Sequence, residues 1–385
     1  MLDRPRHVAV VGAGLAALRA VESLLRSDLD SRVVVFGEEP HPPYSRPPLS
    51  KDLLDADFEP AWFKLPTSEQ VFWRTSSRVV ASDLANRRLH LEDGQAFDYD
   101  GLVVASGVRA RRLAVPGPAP LTLRSYDDAL TLRERAEGAR RALIVGGGVL
   151  GCELASMLTD AGIAVEVVVG PDEVPMQSVL GHTLAAELRR RHQERGTVFH
   201  TGVAVLAYTA VGALLSDGTE VTADLVVETV GSVPNTEWLE GNGLDLRAGL
   251  ICNDDLTVVG AERVVGCGDV IRYPSARYGG RLVRVEHWTF AAESGRHAGR
   301  TLAGQLGSQS APARVAFDAL PTFWTDQLGV RLQGLGLPGL GTADHRVLDG
   351  QLSEDPVLGY HHESSLVGVV MVNRPEVAAG YRRLL

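Results

Sequence analysis

Cysteine is scarce in this chain of 385 residues: there are three, Cys152, Cys252 and Cys267, and no two of them form a CxxC pair. A disulfide-exchange centre is therefore not expected, and the wide spacing suits small, reduced packing residues. Also missing is any apolar run approaching the roughly 20 residues of a membrane span. There is no surplus of basic residues either: the formal net charge is -10. That balance argues against a general nucleic-acid binder, because neutralising phosphates needs a basic face. The first strand-like run begins at His7, which leaves no room for a signal or transit peptide, and a cytoplasmic location is expected. With 45% hydrophobic and 22% charged residues the composition is that of a globular protein. The length suggests two or three domains.

What the chain does have is one device twice. Residues 7–11 form a valine-rich run leading into Gly12-Ala-Gly14-Leu-Ala-Ala17, and residues 142–145 lead into Gly146-Gly-Gly148-Val-Leu-Gly151. Gly12 and Gly146 allow the tight turn from strand to helix, and Gly14 and Gly148 let the backbone approach a pyrophosphate. Ala17 and Gly151 are small enough for the following helix to pack on its strand. The first amides of that helix, at Leu15 and Ala16 or at Val149 and Leu150, then face the phosphates. One such loop is more often an ordinary glycine turn. Two, each followed by a helix-like run (15–25 and 149–161), point to two bound dinucleotides. Glu38, just after the next strand-like run, stands where an acid about 20 positions past the glycines accepts a ribose hydroxyl.

The remaining pattern is interrupted. A proline-rich loop spans 39–51, and short strand-like stretches follow at 79–81, 88–91 and 101–105, with a turn at Asp93-Gly94. Residues 116–120 read as a linker. After the second glycine loop come a strand at 164–169, antiparallel-looking stretches at 204–215 and 220–230 joined through Asp217-Gly218, and a helix at 289–306. Beyond another linker at 307–311, the end of the chain is strand-rich with a terminal helix.

Several segments are more specific than the glycine loops: Pro43-Tyr-Ser-Arg-Pro-Pro-Leu-Ser-Lys51, Gly231-Ser-Val-Pro-Asn235, Gly266-Cys-Gly-Asp269, Glu286-His-Trp288 and Phe323-Trp-Thr-Asp-Gln327. With them the chain resembles, nearly end to end, the FAD-dependent NAD(P)H:ferredoxin reductases of oxygenase systems. These are the putidaredoxin reductase and biphenyl dioxygenase reductase type, with a glutathione-reductase-like fold. The resemblance implies an α/β protein with two Rossmann-like dinucleotide-binding domains and a C-terminal α+β domain. The boundaries expected are 1–115 with 244–312 for FAD, 116–243 for NAD(P)H and 313–385 for an interface domain.

The activity implied is hydride transfer from NAD(P)H to FAD, then single electrons to an iron–sulfur ferredoxin that serves a P450 or Rieske oxygenase. On the FAD side the resemblance implies contacts from Arg46, Lys51, Ser106 and Gly107, from Gly268 and Asp269 along the ribityl chain, and from His287 and Trp288 beside the ring. Val79 and Arg124 would lie at the adenine end, and Phe323 and Trp324 would cap the flavin. On the nicotinamide side it implies Gly231 and Glu153. Lys51 and Glu153 are the catalytic candidates, paired beside the flavin and bridging the two dinucleotide domains. Direct hydride transfer needs no general acid or base, so catalysis is mainly positioning, with a near-attack separation of roughly 3 to 3.5 Å.

Two features qualify this. Val169 stands where NADH users of the family carry an acid, and no arginine cluster marks a 2'-phosphate site. Asp172 or Glu173 could reach the ribose instead, which favours NADH slightly. Second, Arg272, Arg277, Arg281 and Arg284 make a basic stretch in an acidic chain, a docking place for an acidic ferredoxin around Arg277, Arg281 and Arg284. The alternatives are a flavoprotein resembling apoptosis-inducing factor with a weakened nicotinamide site, or a quinone-type reductase.

Overall fold

A strand with no polar face has to be covered on both sides, and the run before the first glycine loop has none. In the computed structural model, which describes residues 4–170, 174–311 and 314–385, that run is the central strand of a parallel sheet. The chain divides into two compact units. One comprises Met1–Ser45, Ala61–Arg109 and Val233–Pro321, the other Arg46–Pro60, Ala110–Ser232 and Thr322–Leu385.

In the first unit, Arg6–Val11 lies between Gly101–Val104 and Ser31–Phe36, with Val264–Gly266 and Val71–Arg74 outermost. All the pairings are parallel, with Val8 facing Val33 on one side and Gly101 on the other. The first fingerprint helix, Leu15–Leu25, follows the central strand. The long helix Trp288–Gln305 packs on it so closely that a Cβ on Gly295 would stand 2.3 Å from the Ala16 carbonyl oxygen, and one on Gly299 2.4 Å from that of Ala20. A small antiparallel sheet, Val79–Asp83, Arg88–Leu91 and Ala96–Asp98, completes the unit. The stretches expected at 79–81 and 88–91 belong to it, whereas the one expected at 101–105 is a strand of the parallel sheet and the third strand, Ala96–Asp98, is not among those expected.

The second unit repeats the plan. Arg141–Val145 lies between Ala164–Val168 and Leu225–Glu228, with Val198–His200 and Leu121–Thr122 at the edges, all parallel. The second fingerprint helix is Val149–Asp160. A meander, Val205–Thr209, Gly212–Leu215 and Glu220–Thr222, covers one face through Val205, Tyr208, Leu215 and Val221. Residues Thr322–Leu385 add a five-stranded antiparallel sheet and the short helix Ala378–Arg382. The α/β class with two Rossmann-like halves and an α+β C-terminal part is as expected.

Two helices fall where the sequence pattern shows none. Tyr126–Ala136 begins at a capping box formed by Ser125 and Asp128. Gln177–Glu194 is broken at Gly181, whose φ of 69° is not helical, although its buried Leu180, Leu184 and Leu188 are spaced by four. No helix among the described residues is long and apolar enough to cross a membrane.

Candidate functional site

In the first unit the glycine loop is a cradle that opens outward. Gly12 has a φ of +108°, and a Cβ there would stand 2.1 Å from the Ala105 carbonyl oxygen, so only glycine fits the turn. Gly14 is the reverse case, with no atom within 4 Å of where its Cβ would be. It caps the helix Leu15–Leu25 without a side-chain hydrogen bond. The first amides of that helix are thus left without a side-chain cap, as an anion site requires. Leu15, Ala16 and Ala17 are buried behind them. A pyrophosphate fits this cradle, and the residues around it suit the rest of FAD.

Glu38 lies just beyond the strand Ser31–Phe36 with its carboxylate exposed, 3.5 Å from Arg78 Nε. Val79 is buried in its strand. The Ser106 hydroxyl donates to the Asn235 carbonyl (2.7 Å), and the Asn235 amide donates back to the Ser106 carbonyl (3.0 Å), which fixes the turn leading to Gly107. Gly268 donates its N–H to Ser294 Oγ (3.0 Å), which ties the turn carrying Asp269 to the helix Trp288–Gln305. His287 caps that helix, and Trp288 is its first residue, half-buried and stacked 6.1 Å from the Phe63 ring.

The second unit holds an equivalent cradle. Gly146 has a φ of +119°, and a Cβ there would meet the Thr229 carbonyl oxygen at 2.4 Å. At Gly151 it would meet the Gly146 carbonyl oxygen at 2.0 Å, so the third small position lets the helix close on its strand. Gly148 faces open space and caps Val149–Asp160 without a side-chain bond, with Val149 and Leu150 half-buried in the first turn. A second dinucleotide phosphate fits here. Gly231 sits beside Arg111, whose backbone N–H donates to the Gly231 carbonyl (2.9 Å) and whose guanidinium donates to the Ser232 carbonyl (3.0 Å). Val169 is buried, and a Cβ on Gly147 would meet its Cγ2 at 2.8 Å. Its isopropyl group wedges the glycine loop instead of presenting an acid. Asp172 and Glu173 lie outside the described residues.

The pairing of Lys51 with Glu153 lies wholly within the second unit. Residues 47–50 of the proline-rich loop form a short 3-10 turn, and the segment around it is tied to this unit. Lys51 Nζ donates to Glu153 Oε1 (2.7 Å), Ser50 Oγ to Glu153 Oε2 (2.5 Å) and Arg46 to the Arg124 carbonyl. The expected pair is formed, and both of its residues belong to one compact unit. Glu153 is buried (5% exposed) and also accepts from the Thr325 hydroxyl (2.7 Å). One helical turn on, the Ser156 hydroxyl accepts the Leu328 N–H (2.7 Å), so one face of the helix meets the C-terminal sheet twice. Ser50 and Thr325 lie inside segments the sequence singles out, Pro43–Lys51 and Phe323–Gln327, but with no role of their own, and Arg111 carries no such signal.

All three cysteines are buried. Burial pushes the Cys152 and Cys267 thiols up to about 12 and the Cys252 thiol higher still, so none is a thiolate near neutrality. In the basic stretch, Arg277 pairs with Asp318 (2.7 Å) and Arg284 with Glu286 (2.7 Å), while Arg281 is exposed. The patch is thus less positive than its sequence suggests.

Burial also lowers the imidazoles of His192, His297 and His287, the last to about 4. Each is neutral when folded but takes a proton in the unfolded chain below about 6.5. Their contribution to stability is therefore complete above pH 6.5 and falls away as the pH drops through the folded values. The thermal midpoint of the FAD-saturated protein should decline steadily from pH 7 to pH 5; a flat profile would contradict this burial.

Residues 6–295 match the pyridine nucleotide-disulphide oxidoreductase family, and residues 322–385 match the reductase C-terminal family. A ferredoxin–NAD(+) reductase component of an anthranilate 1,2-dioxygenase system from Burkholderia cepacia is 33% identical, the match covering 98% of this chain and 93% of that protein. The corresponding subunit of a benzene 1,2-dioxygenase system from Pseudomonas putida is 31% identical over 98% and 92% of the two chains. Among solved structures, a covalent putidaredoxin reductase–putidaredoxin complex superposes with a TM-score of 0.90 at 27% identity, covering 98% of this chain and 92% of the other.

Proposed function

The chain belongs to the pyridine nucleotide-disulphide oxidoreductase family, and from that premise we propose that it is an FAD-dependent NADH:ferredoxin reductase. It is the component of an oxygenase system that takes hydride from NADH and delivers single electrons to a ferredoxin. The observation that carries the reading is the Lys51–Glu153 pair in a protein whose three thiols are buried and held protonated. A family member without a reactive dithiol needs another electron acceptor, and a soluble iron–sulfur protein is the one its relatives' names supply.

Bound FAD supplies chemistry that no side chain here has, accepting a hydride and releasing its electrons one at a time. The residues do the holding. In this proposal the Gly12–Gly14 loop takes the pyrophosphate, Glu38 the adenosine ribose and Asp269 the ribityl hydroxyls. Val79 and Arg124 lie at the adenine end, His287 and Trp288 beside the ring, and Lys51 supplies the positive charge that favours a reduced, anionic ring. The Gly146–Gly148 loop, with Gly231, takes the nicotinamide dinucleotide. The functional division is 1–115 with 244–312 for FAD, 116–243 for NADH and 313–385 for the interface. An acidic ferredoxin docks near Arg277, Arg281 and Arg284, and the setting is the cytoplasm.

Val169 favours a second reading, an FAD-binding protein resembling apoptosis-inducing factor whose nicotinamide site has weakened. Anaerobic stopped-flow mixing of the holoprotein separates the two. NADH should bleach the flavin band within milliseconds to seconds and faster than NADPH, and electrons should then reach an added acidic ferredoxin at a rate that falls with salt. If neither nucleotide bleaches the band on that scale, the reductase reading is wrong. Bleaching followed by transfer only to quinones would remove the ferredoxin.

A further inference from the structure

Glu153 accepts its third hydrogen bond from a hydroxyl that is itself held from behind. Thr325 and Gln327 are two apart on the strand Thr322–Gln327, so both face inward, and they are 0% and 2% exposed. The Gln327 amide spends both its hydrogens within reach, one on Thr325 Oγ1 (3.3 Å) and one on Met176 Sδ (3.5 Å). Its oxygen Oε1 is therefore left to accept, and it lies 2.8 Å from Nε2 of the fully buried His192. An amide oxygen cannot donate, so His192 carries its proton on Nε2, and its buried Nδ1 has no partner among the described residues.

The donors consequently run one way: His192 to Gln327, Gln327 to Thr325, Thr325 to Glu153 Oε1, the oxygen that also receives Lys51 Nζ. We infer that Thr325 is a positioning residue for the electron-transfer reaction. Its hydroxyl, given its direction by Gln327 and His192, fixes the rotamer of Glu153 and so the place of the Lys51 ammonium. Without it, Glu153 Oε1 keeps one donor, the Lys51 ammonium, and the carboxylate, held otherwise by Ser50 Oγ on Oε2, can pivot about that bond and carry the lysine with it. The chain begins on the helix Gln177–Glu194 and crosses the C-terminal sheet, so both stand behind the charge offered to the flavin. This rests on the proposal that Lys51 meets the flavin ring.

The test reads the midpoint potential of the flavin in the FAD-loaded protein, a property that a merely structural threonine would not move. Lys51→Met should make the potential more negative, since a nearby positive charge favours the reduced ring. Thr325→Val should shift it in the same direction by a smaller amount, and Thr325→Ser, which keeps the hydroxyl, should restore it. In the Lys51→Met background Thr325→Val should add nothing, the signature of two residues acting through one contact. A Thr325→Val protein that is less stable but has the wild-type potential overturns the inference. If Lys51→Met itself leaves the potential unchanged, the placement of Lys51 fails and the inference falls with it.

Discussion

Gly14→Val is expected to give a folded protein that emerges from purification without flavin. The backbone at Gly14 has φ -90° and ψ -167°, ordinary extended values that valine adopts readily, and nothing lies within 4 Å of its Cβ position. Folding therefore places no demand on glycine here. What the missing side chain keeps open is the approach of a phosphate to the first helical amides, and a branched side chain would fill that approach. Binding of FAD should weaken by at least about 100-fold, or about 2.7 kcal/mol, with the unfolding midpoint of the apoprotein unchanged. Gly12→Ala should differ in kind, because its φ of +108° and the 2.1 Å approach to the Ala105 carbonyl oxygen make it costly even without flavin. Gly148→Val should keep its FAD yet be reduced slowly by NADH. Flavin titration of the purified variants checks all three, and a Gly14→Val protein that retains FAD would show that the cradle does not hold the pyrophosphate.

Lys51→Met is expected to lower unfolding stability by about 3 kcal/mol, because it leaves the Glu153 carboxylate buried without the cation bonded to it. The double variant Lys51→Met/Glu153→Gln should recover most of that loss, since an amide in the same place carries no charge to strand. Chemical denaturation of the FAD-loaded proteins measures both. A single-variant loss below about 1 kcal/mol would be the behaviour of a solvent-screened surface pair and would contradict the enclosure of Glu153.

The glycine loops were legible because their requirements are local: a turn at Gly12 or Gly146 and a close approach at Gly151 are demands of neighbouring backbone. The partners of Glu153 were not. Thr325 is 172 positions away and Lys51 102; the resemblance gave the lysine a role, whereas the threonine stood in the Phe323–Gln327 segment without one. The helix Gln177–Glu194 was legible in principle, since Leu180, Leu184 and Leu188 are spaced by four, but Gly181 breaks it near its start. Tyr126–Ala136 escaped although Ser125 and Asp128 spell its cap, because its apolar stripe is only Ala129, Leu132 and Ala136. The arginine stretch was legible as a basic segment, but its pairing was not. Charges counted along a segment omit the acids that folding brings to them, and Asp318 reaches Arg277 from 41 positions on.

The close crossing of Leu15–Leu25 and Trp288–Gln305 makes the first unit a ruler. Helices spaced by interlocking side chains can settle closer or farther apart as those side chains change. Here the spacing is set where Gly295 and Gly299 rest on the carbonyls of Ala16 and Ala20, backbone against backbone. Gly14 opens one helix and Trp288 opens the other. The span from the phosphate cradle to the ring of Trp288 is thus graduated in peptide units, independent of the size of the side chains around it.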